Sequence, residues 1–330
     1  MPHNHVHVHN ATRKLARIDP TRTKLIRKAF EREIGRRIAL LKRDVWDFMV
    51  TLDALALGER NKNPLVRLQE FGDQGLAAEL LKGRAAHSGL VRNVQPREFE
   101  FRSAPDKLRA FREWLQAQIE ARVISPRAGD NPRRPWTYRY LESAYRRGLL
   151  NAYIAAKKGE ADIDRTQEQF LRSSFGAPET TAKIELLATR AFEDLKGVTQ
   201  EMATQMNRVL AQGVVDGKNP REIAREMVKR VDGLTKKRAL LIAQTEVINA
   251  HAEGQLDGFE ELGIDDLGVM AEWSTAGDDR VCPRCAEMEG KKFTVEEARG
   301  LIPLHPRCRC SWIPYVGPPP KKKKVRRRRR

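Results

Sequence analysis

Residues 282–285 read Cys-Pro-Arg-Cys and residues 305–310 read His-Pro-Arg-Cys-Arg-Cys, and these two stretches hold all four cysteines of the chain. Two thiolates three positions apart reach one metal ion, and a second pair arriving from a distant strand closes a tetrahedron around it. Five donors, Cys282, Cys285, His305, Cys308 and Cys310, compete for four positions. The set Cys282, Cys285, His305 and Cys308 satisfies tetrahedral zinc, and so does the all-cysteine set; the alternative is a group of free buried thiols. Four protein ligands leave no open position for water, which makes such a zinc ion structural and not catalytic.

Around this cluster the pattern changes to strands, over Val269 to Thr275 and over Cys310 to Val316, with Glu289-Gly290-Lys291 as a turn. Thr294 and Glu297 stand at capping-box spacing and predict one helical turn between them. A module of about fifty residues rarely buries enough apolar surface to hold itself, so a metal staple is physically motivated.

Upstream the chain reads as helices. Asp19-Pro20 predicts a helix start, after which Leu25, Ala29, Ile34, Ile38, Leu41, Val45, Met49 and Leu52 recur at helical spacing. The other faces carry Arg22, Lys24, Arg27, Lys28, Arg32, Arg36, Arg37, Lys42 and Arg43, interleaved with Glu31 and Glu33, and read as a solvated face. Residues 58–97 give no clear pattern. Ser103-Ala-Pro105-Asp106 predicts a second start, with Leu108, Phe111, Leu115 and Ile119 on one face, and a Pro/Gly/Arg loop follows from Ser125 to Pro135. Trp136 to Lys158 reads as a third helix in which Gly148 predicts a close crossing.

A linker is expected around Gly159 to Pro178. Residues 179–212 then read as a helix through Ile184, Leu187, Ala191, Leu195, Val198, Met202, Met206 and Leu210. Asn219-Pro220-Arg221-Glu222 opens a short helix to Val231, and Thr235 caps the next. Ala239, Ala243, Ala250, Gly254 and Gly258 form a stripe of small residues. Glycine costs about 1 kcal/mol relative to alanine inside a helix, so two on one ridge imply that another backbone packs against them. The fold class is therefore a mainly α N-terminal region with a small α+β C-terminal module, stapled by zinc.

Composition bounds the partners. The 330 residues are 40% hydrophobic and 6% aromatic, which allows a modest core and two or three domains. Of the formal charge of +18, nine units lie in Lys321, Lys322, Lys323, Lys324, Arg326, Arg327, Arg328, Arg329 and Arg330, leaving +9 on the rest. Such a balance favours a polyanion, because each cation that neutralises a phosphate releases counterions. The basic tail, beyond Gly317-Pro-Pro-Pro320, is expected to be disordered and to bind nucleic acid. His3, His5, His7 and His9 alternate at the start and read as a mobile polar terminus. No secretory pattern and no apolar stretch of spanning length is present, and cysteines confined to residues 282–310 fit a reducing compartment, so folding in cytoplasm is expected.

Trp273-Ser-Thr275, Asp279-Arg280-Val-Cys282-Pro-Arg-Cys285, Gly290, Pro303 and His305-Pro306-Arg-Cys308-Arg309-Cys310, preceded by Ala243-Gln-Thr245-Glu246 and by Ala250 to Gly254, resemble the C-terminal domain of the phage Mu F-like head morphogenesis, or minor capsid, proteins. The N-terminal half resembles the same group more loosely, at Asp19-Pro-Thr-Arg-Thr23, Lys107 to Leu115 and Trp136 to Gly148. The chain departs from the family at Gln244, where arginine is frequent, and near His251 and Ala252, where asparagine is.

The resemblance implies a non-enzymatic phage structural protein that binds the portal and other capsid or scaffold proteins during procapsid assembly and touches packaged double-stranded DNA. It further implies a place in the virion interior, with the host cytoplasm during assembly, and neither a membrane nor a small-molecule substrate. The expected divisions are a flexible terminus over 1–18, a helical domain over 19–177, the helical part of the Mu F-like domain over 178–263, the Cys/His module over 264–316 and the basic tail over 317–330. Thr245 and Glu246 read either as a buried hydrogen-bonded pair or as an exposed helix face.

Two rival readings use the same residues. His251-Ala-Glu253 with Cys282 and Cys285 imitates the H-x-E…P-C-x-x-C signature of zinc deaminases, but Val281 replaces the proline, the preceding region reads as helical, and His305, Cys308 and Cys310 go unused. A zinc-bearing nucleic-acid regulator would also account for the tail.

Overall fold

A computed structural model describes residues 19–58, 104–126, 131, 134–158, 163–263 and 270–315. His3, His5, His7 and His9, nearly all of the stretch 58–97 and the basic tail lie outside the described residues. Numbered within those residues, the helices are α1 (Lys24–Trp46), α2 (Ala104–Ile119), α3 (Tyr138–Lys158), α4 (Gln167–Gly176), α5 (Pro178–Val215) and α6 (Pro220–Glu261). Then come β1 (Met270–Ser274), α7 (Pro283–Ala286), β2 (Lys292–Phe293), α8 (Val295–Ala298) and β3 (Ser311–Tyr315). A mainly helical chain with a small antiparallel sheet near the C-terminus is the class expected. None of the described helices is long and apolar enough to cross a membrane.

The described residues form two compact units, one within 1–32, 126–194 and 240–330, the other within 33–125 and 195–239. In the second unit, α1 and α2 each end in a π-helical turn, Asp47–Thr51 and Glu120–Ile124. Phe48 stacks on Trp114 with ring centroids 4.0 Å apart. Arg37, expected on the solvated face, is instead buried: its Nε donates to Glu33 Oε1 at 2.7 Å and its Nη1 to the carbonyls of Val123 (3.2 Å) and Ser125 (2.8 Å). A guanidinium is taken out of water only when its donors are satisfied, and the last turn of a helix presents its carbonyls to such a donor. The i,i+4 spacing to Glu33 was visible in sequence; the carbonyls were not.

The first unit carries the candidate site. Its α1 segment begins later than Asp19-Pro20 predicted. Asp19 Oδ1 accepts from both the backbone N–H (3.2 Å) and the hydroxyl (2.7 Å) of Thr21, and Arg22 adopts φ 53°. Local side-chain bonds thus close a turn where a cap was expected, and the helix starts at Lys24. Phe30, passed over in the apolar series, is buried and stacks on Tyr140 at 4.8 Å with Trp136 edge-on at 5.8 Å.

The region read as a linker contains α4, whose Thr166–Gln169 capping box is formed in both directions. The stripe through Ile184 to Leu210 is buried along α5 as expected. Asn219 Oδ1 accepts from Glu222 N (3.0 Å) at the start of α6, but the helix does not stop at Val231 and restart at Thr235: it runs unbroken to Glu261.

Gly148 of α3 and the ridge of α6 meet backbone to backbone. A Cβ on Gly148 would collide with the carbonyl oxygen of His251 and lie 2.8 Å from Gln255 N; one on Gly254 would collide with the carbonyl oxygen of Tyr145; one on Gly258 would sit 2.6 Å from Ala152 Cβ. The small residues therefore do what the sequence implied, letting two helix axes approach more closely than side chains allow. Around the crossing, Asp257 accepts from Tyr145 Oη and from Lys183 Nζ (2.6 Å).

Two glycines inside helices should respond oppositely to alanine. Gly148→Ala is expected to destabilise by about 3 kcal/mol or more, the upper end of overpacking costs. Gly197→Ala in α5, where no atom lies within 4 Å of the added methyl, should stabilise by about 0.5–1 kcal/mol. Urea unfolding of the two variants beside the wild type reads both signs.

Candidate metal centre

The sheet has the order β2-β1-β3 with both pairings antiparallel. Trp273 faces Trp312 across β1 and β3, their rings edge-to-face at 5.3 Å, and Phe293 of the unforeseen short strand β2 packs edge-on to Trp312 at 5.8 Å. At Gly290 the chain turns with φ 73°, a conformation that favours glycine, and its N–H donates to Trp273 O (2.9 Å). The Thr294–Glu297 capping box is formed in both directions and starts α8. These elements place the two donor stretches against one another.

Cys282 is the N-cap of α7. Its Sγ accepts from Cys285 N (3.4 Å), which turns both sulfurs to one side. In the other stretch Arg307 takes φ 66°, and Cys308 N donates to His305 O (3.0 Å), so a tight backbone turn links His305 to Cys308. His305 Nε2 lies 3.1 Å from the sulfurs of both Cys282 and Cys285, and Cys285 Sγ lies 3.9 Å from Cys308 Sγ. Two donor groups result, Cys282–Cys285–His305 and Cys285–Cys308–Cys310, and Cys285 belongs to both. All five expected donors are thus brought together, four of them within a few residues of a strand or helix end.

The electrostatics of the thiols differ. The backbone amide of Cys285 lowers Cys282, and Cys310, with backbone amides behind it, lowers Cys308 to about 5; burial raises Cys285 to about 12, and the neighbouring Cys308 together with burial raises Cys310. Soft thiolates with one imidazole are the donor set of zinc, and the residues present fit that ion.

Cys285, Cys308 and Cys310 belong to one apolar core with Ala152 and Ala156 of α3, with Ile248, Ala252, Leu256 and Phe259 of α6, and with Trp273, Ile302 and Trp312. The module therefore has a second support besides a metal, which its size alone did not predict. Gln255, unnoticed in sequence, makes the join specific. Its Nε2 donates to Trp312 O (2.8 Å) and its Oε1 accepts from Trp312 N (3.0 Å), meeting the outward edge of β3. Only its position beside Gly254 on a small-residue ridge hinted at burial.

The remaining motif residues fall into separate places. Arg309 forks onto Asp278 through two bonds of 2.7 and 2.5 Å, and Arg280 adds a third at 2.9 Å, which hold the Asp278 carboxyl well below the usual carboxylate range. Asp279, a residue of the family motif, is exposed, and its neighbour Asp278 makes the pair with Arg309. Thr245 and Glu246 do not pair with one another. Glu246 is buried and accepts from Arg190 Nε (3.0 Å) and Nη2 (2.7 Å), and burial raises its pKa against the opposing pull of Arg190.

His251 and Glu253 do not join the cysteines. His251 is fully buried with Nε2 3.0 Å from Asn151 Nδ2, and Glu253 accepts from Arg299 Nη1 (3.1 Å) and Gly300 N (3.1 Å).

Residues 204–313 match the family model described as Phage Mu protein F like protein. The chain carries a Phage Mu protein F like region. It covers one third of the 330 residues and includes the Cys/His stretches on which the resemblance was read. No curated protein and no solved structure matches the chain.

Within the Mu F-like region, burial lowers the pKa of His251 from 6.5 to about 3, with Arg147 and Arg27 adding to it, so the folded chain holds this imidazole neutral. The unfolded chain takes up that proton below pH 6.5 and the folded one does not until about pH 3. Stability should then fall between these values by up to about 1.4 kcal/mol per pH unit from this residue. Urea titrations of wild type and His251→Gln across pH 6.5 to 4 should show the smaller slope in the variant; equal slopes would contradict the assignment.

Proposed function

We propose that the protein acts in phage head morphogenesis as a minor capsid component, with its Mu F-like region as the part that docks on the portal. The match of residues 204–313 to the Phage Mu protein F like family carries this reading. The helices α3 and α6 form a rigid base, and the Cys/His module, closed by a structural zinc ion held among Cys282, Cys285, His305, Cys308 and Cys310, projects a fixed surface from it. Zinc held by four protein ligands supplies cross-linking and no chemistry.

The partners are the portal protein and other capsid or scaffold proteins, met in the host cytoplasm during assembly, and the chain ends in the virion interior. The charge of +18 supports contact with packaged double-stranded DNA, with Lys321–Lys324 and Arg326–Arg330 as the phosphate-facing residues. The protein is not an enzyme and takes no small-molecule substrate. The engagement of Glu253 by Arg299 and Gly300 argues against the deaminase reading alone, because the acid a deaminase would need as proton shuttle is already committed.

Co-expression with the portal protein of the same phage should yield a complex that co-purifies, and a chain that never co-purifies with portal or virions would overturn the docking reading. For the tail, truncation after Pro320 should flatten the dependence of DNA affinity on salt, because each lost phosphate contact removes about 0.9 from the slope. An unchanged slope would remove the tail from the interface. Deamination abolished by Glu253→Ala would refute the non-enzymatic reading.

A further inference from the structure

The five donors fall into two groups that share Cys285, Cys282–Cys285–His305 and Cys285–Cys308–Cys310, and one tetrahedral ion takes four of them. Tetrahedral zinc with sulfur ligands at about 2.3 Å and an imidazole at about 2.0–2.1 Å has ligand-to-ligand edges of roughly 3.5–3.8 Å. The separations of 3.1 Å from His305 Nε2 to the sulfurs of Cys282 and Cys285 need only a slight expansion to meet that figure. The separation of 3.9 Å from Cys285 to Cys308 is already such an edge.

His305 is aimed, not merely near. Its Nδ1 lies 2.7 Å from the carbonyl of Pro306, a bond that puts the proton on Nδ1 and turns the lone pair of Nε2 toward the thiols. Ligating histidines are oriented by this kind of outer bond, and it argues against the all-cysteine set. The fourth position then falls to Cys308 or Cys310.

Cys308 follows His305 by three positions, as Cys285 follows Cys282; Cys308 N–H donates to the His305 carbonyl in the one turn and Cys285 N–H to the Cys282 sulfur in the other. Cys310 lies immediately before β3; it and Cys308 are both buried, 3% and 1% exposed, in the core that includes Trp273 and Trp312, and what sets Cys308 apart is its turn with His305 and its 3.9 Å approach to Cys285. The left-handed Arg307 is what bends the chain to present Cys308; for a non-glycine residue that conformation costs of the order of 1 kcal/mol and persists where surrounding bonds impose it.

Resting on the reading of the module as zinc-stapled, we infer that Cys282, Cys285, His305 and Cys308 are the ligands of one zinc ion and that Cys310 stands outside the coordination sphere, packed against the Cys308 sulfur. The ion then joins α7 to the turn before β3, and Cys310 shields it from solvent on the side of the sheet.

X-ray absorption at the zinc edge on the full chain purified with zinc reads the first shell directly, and three sulfurs with one nitrogen are expected. In parallel, Cys310→Ser should keep one zinc per chain with affinity within about tenfold of wild type, whereas Cys308→Ser should lose stoichiometric zinc. Titration with Co(II) gives a second readout through the thiolate-to-metal absorption, which should persist in Cys310→Ser. Four sulfurs in the wild-type shell, or loss of the ion in Cys310→Ser with retention in Cys308→Ser, would overturn the ligand assignment while leaving the metal reading intact. A wild-type chain that takes up neither zinc nor Co(II) would overturn both.

Discussion

The contact on which the candidate site depends is the crossing of α3 and α6 at Gly148, Gly254 and Gly258. At Gly148 and Gly254 an added methyl would run into the backbone of the other helix, and at Gly258 into Ala152, so the approach is fixed by the absence of side chains. Everything that positions the Cys/His module follows from the face of α6 that this crossing leaves available. Gln255 reaches the edge of β3, Glu253 reaches Arg299 and Gly300 beyond α8, and Ile248, Ala252, Leu256 and Phe259 enter the same apolar core as the cysteines. A helix pair held so closely is a stiff base, which lowers the ordering cost of any binding through the module it carries.

The module itself combines two kinds of support that differ in origin. Its tryptophans and the α3/α6 surface contribute burial, which is non-directional and tolerates small shifts. The thiols and His305 converge, and coordination of the proposed ion, which is directional, would fix their two turns relative to one another. Arg309 adds a third tie through its two-pronged bond to Asp278, so the loop before Cys282 and the stretch carrying Cys308 are joined on both sides of the donor cluster.

Much of this was legible in the sequence. Gly254 and Gly258, in the stripe of small residues read over 239–258, were expected to meet another helix closely and do, Gly254 at the backbone of Tyr145 and Gly258 at Ala152, because glycine inside a helix is costly unless close packing against a neighbour offsets it. The Thr294 capping box, the strands about Trp273 and Trp312 and the buried ridge of α5 all follow from local pattern, and local pattern is what decides them. Where the reading failed, the deciding partner was distant in sequence or the local competition was close. Asp19 bonds Thr21 instead of capping a helix, a choice between two nearly equal local arrangements. Arg37 looked solvated because the carbonyls of Val123 and Ser125 that bury it lie 86 and 88 positions away. The pairing of Arg309 with Asp278 was not legible, because nothing in Asp278-Asp279 says which one a distant arginine meets, and Glu246 finds Arg190, not its neighbour Thr245.

On the proposed reading, the helix base holds its own shape and a bound ion closes the module. Hydrogen exchange of the full chain, followed by mass spectrometry with and without a strong zinc chelator, tests that separation most directly. Removal of the ion should abolish protection over residues 270–315 while the amides of α3 and of 245–258 in α6 stay protected. Protection of the module unchanged by the chelator, or loss of protection in α3 and α6 together with it, would contradict the account.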